Sequence, residues 1–449
     1  MSVAACTRAS GEAKPFSGER LGIIVSRFPK LTETFILAEI QELKRLGVEI
    51  ELFPLLHQQE SLVQPEVEEL VAGAHYRPYL SAQLWRDNLH YLLTRPLEYL
   101  TAFAQVVRGS WRSPRYLAGA VGYFPKAASF ARLAERCGVR HVHAQFANHP
   151  AVVAMVIRRL TGIGFSFTAR GSDIHVDRTM LPEKIAAAQF AVTVSDSNKE
   201  VMVQACGATA ARKIHVVYGG IDTGLFSPGP APAADGMFRI VCVARFEEVK
   251  GHAQLLAACA IMVERGLQFR CDLIGDGELR PQLERQIAQL GLSNHVVLHG
   301  NRPQQYIVQA LRSASVCVLA TVQAASGKRE GIPNVLKEAM ACGVPVISSR
   351  ISGIPELVDD GVSGILVPPG QPEALAQALI RLAQEPALRR QLGSAGRARI
   401  EADFDLRASA RRRAALFFGV DPTEPLGARA HMGTARTPVI HMRAEHSTG

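Results

Sequence analysis

Apolar runs of strand length alternate with segments of helical period along most of the chain. In the first half, this pattern predicts strands at residues 21–26, 48–56, 141–146, 165–169, 190–195 and 214–217. In the second half, it predicts strands at residues 240–244, 271–275, 296–298, 316–320 and 344–348. Buried strands that alternate with helices are typical of a parallel sheet covered by helices on both faces. We therefore predict an α/β fold in both halves.

Two segments interrupt this alternation. Residues 84–135 have a helical pattern without a strand, and residues 227–236 are rich in Pro and Ala without any period, as in a linker. The predicted organisation is a disordered lead (1–19), an N-terminal domain (20–226) with a helical insertion at about 77–135, a linker (227–236), a C-terminal domain (237–403), a C-terminal helix (404–418) and a disordered tail (419–449).

Composition supports a two-domain protein and indicates its cellular compartment and the charge of its partner. The chain has 449 residues, which exceeds what one ordinary hydrophobic core accommodates. No apolar run of about 18 residues predicts a spanning helix, and residues 1–20 lack the apolar stretch of a signal peptide. The eight cysteines form no C-x-x-C pair, which favours free thiols in a reducing compartment and hence a cytoplasmic protein. The net charge of +9 favours an anionic partner: a phosphate-bearing substrate, a membrane surface or nucleic acid.

The most informative segment runs from Glu330 to Glu338, after the predicted strand at 316–320. Pro333 suits the first turn of a helix predicted at 334–341. The start of a helix offers free N–H groups and the positive end of its dipole, which suit a phosphate. A carboxylate accepts two hydrogen bonds from a vicinal diol, as on a ribose or a hexose. Two glutamates at this spacing could equally be solvated acids near a helix start.

This segment resembles the donor site of the retaining GT-B glycosyltransferases of family 4, whose E-x7-E motif matches Glu330 and Glu338. The similarity continues in the segments 219–226, 243–251, 274–278, 353–357 and 360–369. The resemblance implies two Rossmann-like parallel-sheet domains that face each other across a cleft, with a C-terminal helix that can cross back to the N-terminal domain. The N-terminal domain would then bind the acceptor and the C-terminal domain the nucleotide sugar.

The resemblance also implies a role for each residue of the donor site. Arg245 and Lys250 would pair with the diphosphate, since charge-assisted hydrogen bonds to phosphate are strong. Glu338 would hold the ribose hydroxyls and Glu330 the transferred sugar. The backbone would approach the donor at Gly275, Gly277, Gly331, Ile332, Pro333 and Asn334.

The N-terminal domain departs from the family pattern in two places. The first strand is followed by the turn at 26–35 instead of a Gly-rich loop, and this turn resembles one in polysaccharide-assembling members, with Thr32 as a helix N-cap and Glu33 in the first turn. His143 and Asp173 match the family, whereas Gln145 and Arg170 stand where histidine is often found.

The resulting hypothesis is a retaining, metal-independent hexosyltransferase of surface or extracellular polysaccharide biosynthesis. It would use a nucleotide-sugar donor, a carbohydrate or lipid-linked saccharide acceptor and no cofactor. The candidate catalytic residues are Glu330, Arg170, Asp173 and His143.

Other interpretations remain open from the sequence. Asp403-Phe-Asp405 has the D-x-D spacing of a metal motif, but we predict that it opens the C-terminal helix. A sugar-nucleotide epimerase of the same two-domain architecture is an alternative, because it binds similar donors. A dehydrogenase is less favoured because no G-x-G-x-x-G follows the first strand. The intact set of donor-site residues argues against a non-catalytic sugar-binding protein.

The helical insertion combines basic and aromatic residues. Between Arg77 and Lys126 there are seven basic residues and two acidic ones, interleaved with tyrosine, tryptophan, phenylalanine and leucine. Such helices can lie in the headgroup layer of an anionic membrane, which would make the protein peripheral on its inner face. The apolar residues could instead pack on the N-terminal sheet. Nucleic acid is not expected, because no nucleic-acid motif accompanies the charge.

Overall fold

The computed structural model describes residues 14–29, 34–58, 65–229 and 236–420. The predicted lead up to residue 13, the predicted tail from residue 421, Thr32, Glu33 and residues 230–235 of the predicted linker lie outside these ranges. Within them the chain forms two parallel six-stranded sheets with helices around each sheet. The predicted α/β fold is thus confirmed.

The first sheet has the strand order β2-β1-β3-β4-β5-β6, and all its strands are parallel. Its strands are β1 (Arg20–Phe28), β2 (Glu49–His57), β3 (His141–Ala144), β4 (Gly164–Ala169), β5 (Phe190–Thr193) and β6 (Ile214–Val216). All six were predicted to within two residues at each end. The four inner strands, β1, β3, β4 and β5, are buried on both faces over most of their length, which is why they stand out as continuous apolar runs.

The second sheet has the order β12-β11-β10-β7-β8-β9 and is also parallel. Its strands are β7 (Phe238–Val243), β8 (Phe269–Ile274), β9 (Val296–Gly300), β10 (Val316–Leu319), β11 (Val346–Ser349) and β12 (Ile365–Val367). The apolar pattern did not predict β12. From β7 the chain adds strands β8 and β9 toward one edge of the sheet, and from β10 it adds β11 and β12 toward the other edge. The strand order therefore reverses between β7 and β10, and ligands of open α/β sheets bind at such a point.

Nine helices belong to the first half of the described chain. They are α1 (Thr34–Arg45), α2 (Pro65–Ala72), α3 (Ala82–Thr94), α4 (Pro96–Ser110), α5 (Pro114–Cys137), α6 (His149–Thr161), α7 (Ser172–His175), α8 (Leu181–Ala187) and α9 (Asp196–Cys206). The strandless helical stretch predicted over 84–135 therefore consists of α3, α4 and α5.

Eight helices belong to the second half. They are α10 (His252–Glu264), α11 (Arg280–Gln289), α12 (Gln304–Ser313), α13 (Asn334–Ala341), α14 (Ile354–Leu357), α15 (Pro372–Gln384), α16 (Pro386–Asp403) and α17 (Leu406–Phe418). Helix α13 has the predicted bounds, and Pro333 is the residue immediately before it. No helix in the described ranges is long and apolar enough to cross a bilayer.

The C-terminal helix α17 crosses back to the first domain. Its residues Ala414 and Phe417 share a buried cluster with Leu21 and Ile23 of β1 and Phe190 of β5. The crossing is therefore held by apolar packing on the first sheet, and the predicted position of this helix is confirmed.

Candidate functional site

A cavity of about 330 Å³ lies between the two domains, at the carboxyl ends of their strands. The second domain contributes the loops that follow β7 and β10, which meet because the strand order reverses between these strands. Six basic and four acidic side chains line the cavity. This excess of positive charge suits an anionic ligand.

Three basic side chains of the second domain that line the cavity, those of Arg245, Lys250 and Lys328, pair with acidic neighbours. Arg245 and Lys328 both pair with Glu247, at 2.8 Å and 2.6 Å. The Arg245 side chain is 60% exposed and is therefore accessible to a ligand from solvent. Glu247 and Lys328 had no role in the sequence prediction. Their only sequence signal is position, because Glu247 lies inside the 243–251 motif and Lys328 just before Glu330.

Lys250 and Glu330 form the closest ion pair in the cavity, with Lys250 Nζ 2.5 Å from Glu330 Oε2. Both side chains are about four-fifths buried. Glu330 is followed by Gly331, Ile332 and Asn334, which also line the cavity at the start of α13. The structure thus brings the predicted diphosphate and sugar residues to one place.

Glu338 lies inside α13, and its side chain is half-buried. Burial raises the pKa of Glu338 to about 7, although the neighbouring Lys337 ammonium lowers it. Lys337 is buried and donates to the Gly219 carbonyl at 2.6 Å, and burial lowers the pKa of Lys337 to about 7. Lys337 lines the cavity, whereas Glu338 does not.

Neighbouring backbone atoms leave no room for a side chain at Gly275 or Gly277. A Cβ on Gly275, whose φ is +139°, would lie 2.1 Å from the Ala244 carbonyl oxygen. A Cβ on Gly277 would lie 2.7 Å from the Phe246 oxygen. These glycines therefore let the loop after β8 pack against the loop after β7. Gly277 also lines a second cavity of about 360 Å³, which shares Arg245 with the first.

Arg170 and Gln145, which replace the histidines of the family pattern, are bonded to each other. Arg170 Nη2 donates to Gln145 Oε1 at 2.8 Å, and the guanidinium lies 4.5 Å from the centre of the Phe35 ring. Both residues also reach the buried carboxylate of Glu39, at 3.4 Å from Arg170 and 3.0 Å from Gln145. Burial lowers the pKa of Arg170 to about 10, so the side chain stays charged at neutral pH.

Arg413 of α17 completes this cluster from the far end of the chain. Its Nε lies 3.5 Å from Glu39 Oε2, and its side chain is almost completely buried. Burial alone would raise the pKa of Glu39, but Arg413 and Arg170 together lower it. Sequence reasoning missed Arg413, since nothing in the Arg411–Arg413 run indicates which arginine is buried.

Asp173, one of the predicted catalytic residues, is bound by the protein's own backbone. The Asp173 carboxylate lines the cavity but accepts from three backbone amides, those of Ala147 (2.9 Å), Arg170 (3.1 Å) and Gly171 (2.7 Å). It therefore positions the loop that carries Arg170.

His143 does not line the cavity. Its ring nitrogens lie 2.8 Å from Ser166 Oγ and 2.9 Å from Thr168 Oγ1, and burial holds its pKa well below the usual range. This environment favours a structural role for His143, under the ring of Phe417.

A second connection between the domains lies beside the cavity. The Glu356 carboxylate of α14 accepts from the backbone amides of Asp196 (2.7 Å) and Ser197 (2.9 Å) at the start of α9. Tyr218 donates to the same carboxylate at 3.2 Å. Glu356 belongs to the 353–357 motif, so this motif contributes a domain contact.

The acidic, histidine and cysteine side chains in the described part of the chain do not form a metal site. Within it, no three His, Cys, Asp or Glu side chains stand close enough to hold an ion. Asp405 instead caps α17 by accepting from the Ala408 amide at 2.9 Å, as predicted, and Asp403 pairs with Arg399 at 2.9 Å.

Solved structures share this architecture. The Anabaena protein Alr3699/HepE, solved in complex with UDP-glucose, superposes with a TM-score of 0.65 at 19% identity, over 89% of this chain and 100% of that one. A sucrose-phosphate synthase of Thermosynechococcus elongatus superposes with a TM-score of 0.66 at 20% identity, over 89% and 98%. The fold is therefore GT-B, as the sequence predicted.

Residues 229–399 match the family described as Glycosyl transferases group 1. The chain is 40% identical over 206 residues to the amylovoran biosynthesis glycosyltransferase AmsK of Erwinia amylovora, covering 46% of this chain and 51% of that protein. It is 38% identical over 210 residues to WcaL of Escherichia coli K12, provisionally named a colanic acid biosynthesis glycosyltransferase, covering 45% and 50%. The chain thus spans about half the length of these curated relatives. These similarities give no support to the epimerase alternative.

Proposed function

We propose that the protein is a retaining glycosyltransferase that moves a hexosyl group from a nucleotide-diphosphate sugar to a hydroxyl acceptor. The observation that carries this proposal is the pairing of Lys250 with Glu330 in a cationic cavity between two GT-B domains. A diphosphate needs cations, and a sugar needs a carboxylate as hydrogen-bond acceptor. The cavity offers both within one small volume.

The proposed donor site places the diphosphate between Arg245, Lys250 and the start of α13. The free N–H groups of α13 and its dipole add to the positive potential there. Glu330 accepts from hydroxyls of the transferred sugar, and Glu338 accepts from those of the ribose. Glu338 suits this role because its half-buried carboxylate has no hydrogen-bond partner among the described residues.

In the proposed reaction, the bond between the anomeric carbon and the diphosphate oxygen breaks, and both electrons leave with the nucleoside diphosphate. The acceptor hydroxyl oxygen bonds to the anomeric carbon on the face that the leaving group vacates, which retains the configuration. The departing phosphate takes the hydroxyl proton. Arg245 and Lys250 stabilise the charge that grows on the phosphate, so no metal or cofactor is included in the proposal.

The proposed acceptor is a growing surface or extracellular polysaccharide, free or lipid-linked. The names of AmsK and WcaL, which both refer to the biosynthesis of such polymers, support this class. The acceptor would bind at the first domain, near Arg170 and Phe35. Both residues line the cavity, and they do so from the side of the first domain. We propose the cytoplasm as the site of the reaction.

A donor panel tests the proposal directly. Purified protein is incubated with UDP-, GDP- and dTDP-hexoses, with free and lipid-linked saccharides as acceptors, and products are analysed by mass spectrometry and by NMR of the anomeric proton. We expect acceptor-dependent release of a nucleoside diphosphate and a product with the donor's configuration. Conversion of the donor to an isomer without acceptor would support the epimerase instead. An inverted product would exclude the retaining mechanism.

A further inference from the structure

Exposed apolar side chains are concentrated in one small part of the molecule. Of sixteen large apolar side chains that are exposed in the described ranges, ten lie between residues 79 and 111. They are Tyr79, Leu80, Trp85, Leu89, Leu92, Leu93, Leu97, Leu100, Phe103 and Trp111. We call these ten residues the apolar face. Both tryptophans of the chain belong to it, and such a dense patch marks an interaction site.

The orientation of the apolar face is fixed by polar contacts on the opposite side. Helices α3 and α4 form a hairpin, and both pack on α5. Asn88 of α3 donates to the Pro125 carbonyl of α5 at 2.9 Å, and Tyr99 of α4 donates to Asn88 at 2.9 Å. Because the buried positions of α3 include the polar Asp87 and Asn88, rotating the helix to bury Trp85 would break these bonds.

The basic residues of this segment divide into two groups. Arg77, Arg95 and Lys126 serve internal contacts, with Ser129 (3.1 Å), Glu135 (3.3 Å) and the Leu55 carbonyl (2.5 Å) respectively. The remaining four, Arg86, Arg108, Arg112 and Arg115, are exposed, and the Arg112 guanidinium lies 5.4 Å from the centre of the Trp111 ring of the apolar face. Glu98 is the single exposed carboxylate of the hairpin, since Asp87 is buried. Arg108 and Arg115 have no ion-pair partner in the described structure.

We propose that the α3–α4 hairpin attaches the protein to an anionic lipid bilayer. Tryptophan, tyrosine and leucine insert at the boundary between headgroups and acyl chains, and the surrounding arginines pair with lipid phosphates. Charge argues against a second copy of the chain on this face, because the same arginines would then meet. The inference goes beyond the proposed chemistry and does not depend on it.

Vesicle co-sedimentation of the full-length protein tests the attachment. Wild-type protein is mixed at low and at high salt with phosphatidylcholine vesicles that contain from none to about 40% phosphatidylglycerol. The attraction of basic side chains to the vesicles increases with the fraction of anionic lipid. We expect binding that rises with phosphatidylglycerol and falls with salt. An exposed arginine near an anionic surface contributes about fivefold in partitioning, so Arg108→Glu with Arg112→Glu should reduce binding by roughly twentyfold or more.

An apolar variant and a matched control separate the contribution of apolar insertion from that of charge attraction. Trp85→Ser with Leu93→Ser should reduce binding even where salt is low, because both side chains are exposed and should not affect folding. The control, Arg285→Glu with Val362→Ser, changes an exposed arginine and an exposed valine of the second domain and should bind as wild type does. Wild-type protein that ignores anionic vesicles at low salt, or hairpin variants that sediment like the control, would overturn the proposal.

Discussion

Lys250 Nζ lies 2.5 Å from Glu330 Oε2, so the residue expected at the diphosphate is ion-paired with the residue expected at the sugar. This pair joins the loop after β7 to the loop before α13, across the point where the strand order reverses. A donor that enters here must share Lys250 with Glu330. The two residues therefore should not behave as independent contacts.

Substitution of Lys250 should weaken nucleotide binding. Lys250→Ala removes a charge-assisted hydrogen bond, which contributes about 1.5–3 kcal/mol, or roughly 10- to 150-fold in affinity. Calorimetric titration with UDP and GDP measures this loss, and Arg285→Ala on the surface of α11 is the control. Wild-type affinity in Lys250→Ala for the nucleotide that matches the donor would remove Lys250 from the diphosphate site.

Substitution of Glu330 should have the opposite effect on nucleotide binding. Glu330→Gln releases the Lys250 ammonium from its anion, so the affinity for the free nucleoside diphosphate should be retained or increased. Turnover should fall, because the sugar loses its carboxylate acceptor. The same titration, combined with steady-state kinetics, separates the two effects. A variant that loses nucleotide binding and turnover to the same extent would argue against a division of roles between Glu330 and Glu338.

Glu338 should make donor binding depend on pH. Its pKa of about 7 means that the carboxylate is ionised only above neutral pH, and an ionised carboxylate binds ribose hydroxyls more strongly. The affinity of wild-type protein should therefore rise between about pH 6 and 8 more steeply than that of Glu338→Gln. Both proteins are titrated with the same nucleotide, so the effect of phosphate ionisation on affinity is common to both pH profiles. Parallel pH profiles would exclude Glu338 from the ribose contact.

The raised pKa also has a consequence for stability without a ligand. A folded-state pKa above the unfolded value means that ionisation of Glu338 destabilises the fold as pH rises from about 4.5 through 7. Glu338→Gln should thus melt at a higher temperature than wild type at pH 8 and at a similar temperature at pH 5. Thermal unfolding followed by circular dichroism at the two pH values measures this difference.

The sequence predicted the sheets well because most of their inner strands are buried and appear as apolar runs. It also predicted which loops meet, since motifs at strand ends converge at one edge of a parallel sheet. It could not predict how the side chains pair. Glu39 and Arg413 are 374 positions apart, and their contact depends on where α17 crosses the first sheet. Likewise, only the structure shows that the Asp173 carboxylate accepts hydrogen bonds from three backbone amides.

Glu39 should be essential for the stability of the first domain. Glu39→Gln leaves the buried guanidiniums of Arg170 and Arg413 without their anion, which should lower the unfolding free energy by about 3–5 kcal/mol. Because the folded-state pKa of Glu39 is lowered, its contribution is present above the unfolded pKa of about 4.5 and lost as pH falls through the folded value. Urea denaturation at pH 7 measures the loss, with the exposed Glu200→Gln as control. Equal midpoints would show that the cluster is not stabilising.

Activity should survive removal of divalent ions. In the proposed reaction, Arg245 and Lys250 with the start of α13 neutralise the leaving diphosphate, a task that other enzymes give to a metal ion. Assays in excess EDTA, with and without added Mg²⁺ or Mn²⁺, should give the same rate within about twofold, well below the tenfold that 1.4 kcal/mol of barrier represents. A rate that collapses in EDTA and returns with one metal would show that these cations are insufficient.

Glu356 should couple the two domains. Its carboxylate from the second domain binds two free amides at the start of α9 in the first, where the helix dipole favours a negative charge. Burial and the carboxylates of Glu356 and Asp196 raise the pKa of Tyr218, which keeps its hydroxyl protonated as a third donor. Replacement of the carboxylate by an amide places an N–H group among these donors, so the contact between domains should weaken in Glu356→Gln.

We expect the Glu356→Gln variant to show a larger radius of gyration by small-angle X-ray scattering, because the domains separate more often. Its kcat/KM should fall by roughly tenfold, the equivalent of about 1.4 kcal/mol, since the closed cavity needs residues from both domains. Saturating donor should restore the scattering profile, because the donor bridges the same domains. The matched control is Glu373→Gln, an exposed glutamate in the first turn of α15. If Glu356→Gln keeps both the scattering profile and the kinetics of the control, then the domains are held together without the Glu356 contact.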